Sequence, residues 1–312
     1  MPQPPLSDEL AQQALDLVEL HGGPTAAGLA SGLSSKMLRD RRNVALVRGM
    51  KPTTTRDRPR VHTSQRLGRM HIVIPDAQVR PGVNTDHLEH VGNYIAEKKP
   101  DELICIGDFW DFPSIGTYDR GTLKAEGRRF NKDVAAGNAA MDKLMAPIVA
   151  EMQRNPWAMR KTFTTGNHED RANRYANAAP ELDGTVTLDS LNLREWQWEI
   201  HPFLKIVKID GIEYCHYFTS GVMGRPASSA AVVLRERQCS ATQGHVQHTD
   251  IAIHKKTQKM ALFCGTCYTH DEDYLGPQGN NQRRQIIVKH EVEDGCYDPM
   301  FVSLAFLKKA YS

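Results

Sequence analysis

The chain of 312 residues is 40% hydrophobic and 24% charged, with a net charge of +2. That is the balance of a globular protein with room for one sizeable core and a smaller module. No apolar run approaches the roughly 18 residues needed to cross a bilayer, which excludes an ordinary helical membrane protein.

The opening segment MPQPPLSDEL lacks the basic stretch and apolar core of a signal peptide. Export is therefore not expected, and the six cysteines read as reduced thiols of a cytoplasmic protein. Charge is unevenly spread along the chain. Residues 36–69 hold eleven Lys or Arg against Asp40 and Asp57, an excess of nine, so the rest of the chain carries −7. A basic arm on an acidic body suggests a polyanionic partner for the N-terminal part.

Leu10, Ala14, Leu17, Val18 and Leu20 recur near helical spacing behind a Ser7-Asp8 cap. His21-Gly22-Gly23-Pro24 ends that helix. A second, short helix is expected over 25–31 and a third over 35–47. The third turns Met37, Leu38, Val44 and Leu46 inward and Lys36, Arg39, Arg41 and Arg42 outward. Residues 1–50 thus form a small all-helical domain that resembles a helix-turn-helix, with those four cations as candidate nucleic-acid contacts. The alternative is an appendage that packs on the body or mediates assembly. Residues 51–69 mix Pro, Thr and Arg without a hydrophobic period and read as a basic linker.

From Met70 onward strands and helices alternate. Strands are expected at 71–75, 102–106 and 161–165, with helices at 86–98 and 132–152. Asp210-Gly211 joins strands 204–209 and 212–217 as a hairpin. A helix at 228–237 and strands at 240–243, 249–254, 259–264, 285–292 and 300–307 complete the pattern. This is an α/β arrangement, with two sheets packed face to face and helices outside.

Five fragments carry the chemistry: PDAQ at 75–78, GDFWD at 107–111, GNHED at 166–170, YCH at 214–216 and GHVQH at 244–248. Each follows a short apolar run, so strands lift carboxylate, amide and imidazole groups toward one edge. A pair of divalent cations requires such a mixed set of oxygen and nitrogen ligands. Singly each fragment is common, and a lone His is more often structural than a ligand. Their joint order reverses that reading. Cys264 and Cys267 have CxxC spacing, but no second pair accompanies them, so a turn after a strand is expected rather than a zinc knuckle or redox pair.

These fragments resemble the calcineurin-like metallophosphoesterases over residues 70–312. The first motif departs from the family: where it has His, this chain has Gln78. The resemblance implies a four-layer α/β/β/α sandwich and two divalent metal ions, Mn²⁺ first, with Mg²⁺, Fe and Zn²⁺ open. It makes Asp108 the bridging ligand, assigns Asp76 and His248 to one ion, and assigns Asn167, His216 and His245 to the other. Gln78 is either a weak ligand or a group that only hydrogen-bonds water beside the metal. His168 is a general acid or charge stabiliser, with Glu169 or Asp170 orienting its ring; Asp108 and His168 are the catalytic pair. Asp111 is expected to hold the neighbouring loop or a ligand His. Arg171 and Arg174 either clamp phosphate oxygens or are ordinary surface arginines. The implied reaction is in-line attack of activated water on phosphorus, with His168 assisting the leaving group.

The basic helical domain favours DNA as the substrate and partner, hence a DNA phosphodiesterase or nuclease. Such a combination looks like a phage or prophage product acting in the host cytoplasm. The segment 112–131, with Arg128 and Arg129, is either a nucleotide channel or an ordinary cap loop. Two alternatives stay open: a phosphatase or cyclic-nucleotide phosphodiesterase, and a catalytically weakened DNA-binding scaffold. Oligomeric state is not legible.

Overall fold

The computed structural model describes residues 6–53, 68–272 and 275–312. Most of the expected linker, residues 54–67, lies outside the described residues. Helices α1 (Asp8–His21), α2 (Pro24–Ser31) and α3 (Ser35–Val47) form the N-terminal region. The Ser7 hydroxyl accepts the Leu10 N–H at the start of α1, and Gly22, with φ +81°, closes the helix. Ala14, Val18, Ala27 and Leu38 bury one small core between the three helices. Leu46, expected inside, is 46% exposed. Ala45 takes the inward place, packed on Ala11 and Leu15, because a methyl group lets α1 approach where Leu would not fit.

This helical region is docked onto the rest of the chain. Ala26 enters the main core, and Arg39 forms an ion pair with Glu195 at 2.5 Å. The pairing also narrows the set of α3 cations left for a nucleic acid.

The body continues with β1 (Arg69–Ile74), α4 (Asp86–Lys98), β2 (Glu102–Cys105), α5 (Phe130–Arg154), β3 (Arg160–Thr164) and α6 (Asp170–Ala178). It proceeds through β4 (Glu199–His201), β5 (Val207–Ile209), β6 (Ile212–Tyr214), β7 (Thr219–Ser220), β8 (Arg225–Pro226) and α7 (Ala230–Arg237). Last come β9 (Ser240–Gln243), β10 (Thr249–Ile253), β11 (Met260–Cys264), the short α8 (Gly276–Gly279), β12 (Gln285–Glu293), β13 (Cys296–Ser303) and α9 (Leu304–Tyr311). Arg69, read as the end of the linker, already pairs within β1.

One sheet runs in the order β13-β12-β1-β2-β3-β4, and a second in the order β10-β11-β9-β6-β5. Strands β1 to β4 are parallel, while β12 and β13 add antiparallel beside β1. Asp210 and Gly211, with φ of +47° and +82°, turn β5 into β6 as the two-residue hairpin expected of that dipeptide.

The apolar runs are continuous because both faces of the central strands are covered. Ile72, Ile74, Leu103 and Cys105 face Leu88 and Val91 of α4, Leu144 of α5 and Leu307 of α9. Their alternates Val73, Ile104 and Ile287 face Ile209, Ile212, Tyr214 and Leu262 of the other sheet. On that sheet's far side, Ala241, Ala261 and Phe263 pack on Ala230 and Val233 of α7.

One expected strand is corrected. Residues 300–307 do not continue extended: the strand stops at Ser303, whose hydroxyl accepts the Phe306 N–H at 3.1 Å and caps α9. Leu304 and Leu307 return to the core at helical spacing, a pattern that a short apolar run cannot distinguish from a strand. Among the described residues, no helix is long and apolar enough to cross a membrane.

Candidate metal centre

Parallel register brings three motif loops to one edge. Ile74 pairs with Cys105, and Cys105 with Phe163, so the chain leaves β1, β2 and β3 side by side. The second sheet supplies the remaining two loops: β6 and β9 are parallel, and the Gly244 N–H donates to the His216 carbonyl at 3.0 Å. The backbone here is held in uncommon conformations. Gln78, Asp108, His245 and Gln247 all have φ between +42° and +66°. Non-glycine residues in this region cost about 1–3 kcal/mol each, tolerated where surrounding contacts over-determine them.

Two motif glycines let backbone press against carboxylates. A Cβ at Gly166 would lie 2.2 Å from Asp108 Oδ1, and one at Gly244 would lie 2.3 Å from Asp76 Oδ1. No side chain fits at either place.

Asp108 is the hub. Its Oδ1 accepts the His168 N–H at 2.9 Å, and its Oδ2 lies 3.2 Å from His216 Nε2. His216 Nδ1 is 2.8 Å from the Ile106 carbonyl, which fixes that nitrogen as a donor and turns Nε2 toward the site. The same Nε2 is 2.9 Å from Asn167 Oδ1. Asp108, His216 and His245 offer ligand atoms within 4.8 Å of one another. A carboxylate, an amide oxygen and two imidazoles form a donor set that fits a divalent cation.

The expected ligands of the other ion are gathered less closely. Asp76 is buried, and both its oxygens receive the His245 N–H, at 3.1 and 3.2 Å. Gln78 is buried and donates its backbone N–H to the Asp108 carbonyl at 2.9 Å. His248 is exposed, its ring tilted against Phe263 at 5.7 Å, and stands outside the cluster of Asp108, His216 and His245.

Burial pushes the Asp76 carboxyl up to about 7, with Asp108 adding to the rise. For Asp108 burial works in the same direction, but His168 and His216 outweigh it and hold the carboxyl below the usual carboxylate range. Burial alone would lower His216, yet Asp108 beside it holds the imidazole up at about 9. His245 is pushed down to about 4 by burial and by His216. A proton on His216 thus offsets part of a negative charge that a cation would neutralise when bound.

His168 is held differently from the expectation. Its Nδ1 lies 2.8 Å from Asp111 Oδ1, so Asp111 orients the ring, and neither Glu169 nor Asp170 does. Glu169 is fully buried beneath the loop and accepts the N–H groups of Asp108, Phe109, Trp110 and Gly166 at 2.7–3.0 Å. It ties the second motif to the third. Asp170 faces Arg174, 3.3 Å away on the same helix. Burial lowers the His168 pKa, but Asp108 and the bond to Asp111 outweigh it, and the balance is upward.

Arg171 lies against the site, with Nη1 donating to the Asp111 carbonyl at 2.6 Å and Nη2 3.0 Å from His168 Nε2. Arg174 donates to the Asn167 carbonyl at 2.9 Å and is otherwise exposed. Two neighbours were not foreseen. Arg80 donates to Asp111 Oδ2 at 3.2 Å and to Glu272 Oε1 at 2.6 Å, and the Tyr217 ring lies 4.6 Å from that of His245. Tyr217 directly follows the YCH fragment, but nothing in its spacing singled it out.

Cys264 and Cys267 are free, and burial pushes both thiols up to about 12, which suits neither a redox pair nor a metal-binding thiolate. The Cys267 N–H donates to the Asp76 carbonyl at 2.7 Å, so this turn fastens the first motif.

No family model matches the chain. It is 30% identical over 112 residues to the Gene 54 protein of Mycobacterium phage D29, covering 36% of this chain and 40% of that protein. The Gene 54 protein of Mycobacterium phage L5 is 29% identical over the same extent. The chain thus spans about two fifths of the length of the curated relatives it matches. One solved structure matches 75% of this chain and 99% of its own at 11% identity, with a TM-score of 0.31, too low to carry an argument.

Proposed function

We propose that this protein is a phosphoesterase dependent on two divalent metal ions, acting on nucleic acid. One observation carries the reading: four separated motifs bring Asn167, His216 and His245 together around the buried Asp108 carboxylate, with His168 and its partner Asp111 alongside. The order of helices, two sheets and helix agrees with the α/β/β/α sandwich that the family resemblance implies. Asp108, Asn167, His216 and His245 would hold one ion, and Asp76, with Asp108 shared, the other; Gln78 lies two residues after Asp76 and His248 three after His245. When bound, such ions lower the pKa of water and neutralise phosphoryl oxygens.

The chain's own groups do the rest. His168, with Nδ1 donating to Asp111 and Nε2 accepting from Arg171, would carry a proton at Nε2 for the departing oxygen once Arg171 turns to the phosphate. Arg171, 3.0 Å from that nitrogen, is placed to take a phosphate oxygen as the ring turns to substrate. The basic α3 supports the choice of nucleic acid: with Arg39 engaged by Glu195, Lys36, Arg41 and Arg42 remain for a polyanion. The phage origin of the relatives accords with this reading and says nothing of activity.

The test is hydrolysis of bis(p-nitrophenyl) phosphate by purified protein with Mn²⁺, Mg²⁺, Zn²⁺ or Fe²⁺, then after chelation. Turnover restored by metal supports the proposal. A protein that binds DNA but stays inert with every metal would be a scaffold, and the enzymatic reading would fall.

A further inference from the structure

Beside the candidate centre lies a cavity of about 350 Å³. That is room for a nucleotide-sized group. Four cations line it: Arg80, Arg128, Arg129 and Lys132. Arg80 donates to the same Asp111 carboxylate that orients His168, so the cavity opens one carboxylate away from that ring.

Two of these four cations are left without an ion pair among the described residues. Two acids, Glu126 and Asp133, share the lining. Asp133 is buried and accepts the Ser114 N–H at 2.9 Å. Arg80 is matched by Asp111 and Glu272, and Arg128 by Asp119 at 2.8 Å. Arg129 and Lys132 are exposed, and among the described residues neither forms an ion pair; the Arg129 guanidinium donates only to the Arg128 carbonyl. Arg129 is the N-cap of the 25-residue helix α5 and Lys132 lies in its first turn; the cap makes no side-chain hydrogen bond. Free backbone N–H groups and the helix dipole add to the attraction for an anion.

A second feature on the same loop points to the kind of anion. Tyr118 is 96% exposed and Leu123 is 85% exposed. Tyr118 precedes Asp119, whose carboxylate is held by Arg128 of the cavity lining, so its loop is fastened to the cavity while its ring stands in solvent. An exposed aromatic next to uncompensated cations is what a single nucleic-acid strand uses: bases stack while phosphates are paired.

We infer that this cavity is a second substrate subsite, which takes the phosphate and base next to the scissile link of a single-stranded polynucleotide through Arg129, Lys132 and Tyr118. The inference rests on the nucleic-acid reading above but not on turnover. Affinity would come from two charge contacts and one stacked base.

The experiment is a fluorescence-anisotropy titration of the full chain with a labelled single-stranded oligothymidylate, in chelator so that the strand stays intact, over a range of salt. Arg129→Gln with Lys132→Gln should weaken binding about tenfold and flatten the plot of log affinity against log salt by about 1.4, at roughly 0.7 per phosphate contact. Tyr118→Ala should weaken binding by about tenfold, and Tyr118→Phe should restore it. As a control for overall charge, Arg235→Gln with Lys256→Gln alters two exposed cations at a separate cavity lined by residues of α7 and those following β10. That pair should leave the slope unchanged.

Equal slopes for both charge pairs, or no change from Arg129→Gln with Lys132→Gln, would overturn the subsite. Unchanged affinity in Tyr118→Ala would overturn its assignment to a polynucleotide. Strand binding that behaves as expected in a protein inert toward small phosphodiesters would leave the subsite standing while the catalytic reading fails.

Discussion

Buried histidines occur in two regions of this molecule, and burial acts on them alike but the outcomes are opposite. In the frame, His71 on β1 and His87 on α4 are both pushed down to about 4, chiefly by burial. His71 has the Asp210 carboxylate 2.9 Å from Nε2, yet Lys289 and Arg69 offset that attraction. His87 Nε2 lies 2.9 Å from the Cys267 carbonyl, a neutral partner. At the strand edge His216 is equally enclosed and is held up at about 9, because Asp108 faces it at 3.2 Å and Asp76 adds to the pull. Desolvation disfavours an imidazolium everywhere; only unmatched negative charge reverses the result. What sets His216 apart is the pair of carboxylates, Asp108 and Asp76, that act on its ring.

Removing that charge should have the largest effect. Asp108→Asn should empty the centre and reduce phosphodiester turnover to background, with metal content by mass spectrometry as the direct readout. Retained metal in a folded Asp108→Asn protein would mean Asp108 is not the hub. His168→Ala comes next. It should keep its metal and lose about 10²–10⁴-fold in turnover, the usual contribution of a positioned acid. A metal-free His168→Ala protein would sink its assignment as a proton donor rather than a ligand.

The frame histidines sharpen the comparison through pH. Their folded pKa values, about 4, lie below the ordinary 6.5, so the unfolded chain binds more protons between those values. Stability is therefore fully present above pH 6.5 and is lost as pH falls toward 4, by on the order of 3 kcal/mol per histidine. Urea midpoints across this window should fall on acidification. His87→Gln, which keeps a donor for the Cys267 carbonyl, should flatten the fall; an unchanged pH profile would show that His87 is not held neutral.

Gln78 should give the smallest effect. If its side chain reaches the ion, Gln78→His should tighten one binding step about tenfold and shift preference toward Zn²⁺. Identical calorimetric isotherms for the two proteins would mean Gln78 serves only through its buried backbone N–H, which already donates to the Asp108 carbonyl.

Much of the site was legible because short-range patterns encode it. An apolar run ending in Gly-Asp or Gly-Asn is a strand followed by a tight turn, and β2 and β3 end just before two such dipeptides, Gly107-Asp108 and Gly166-Asn167. Glu169 was misread for an instructive reason. As a carboxylate next to His168 it looks like the orienting group, but Glu169 is folded under the loop onto four N–H groups while Asp111, far earlier in the chain, reaches the ring. Arg80 and Tyr217 carried no local signal at all, since their contacts come from separate loops.

By itself the sequence determined the alternation of strands and helices, the turn at Asp210-Gly211, and the placing of carboxylate, amide and imidazole groups after strand ends. These follow from side-chain period and backbone sterics, which act over a few residues. Only the tertiary structure decided that Ala45 rather than Leu46 faces α1, that Arg39 is engaged by Glu195, and that the segment after Ser303 is a helix. It also decided which histidines are pushed down by burial and which are held up by carboxylates. Charge interactions and desolvation depend on distances between residues remote in sequence and on how much solvent separates them, and no local pattern records either.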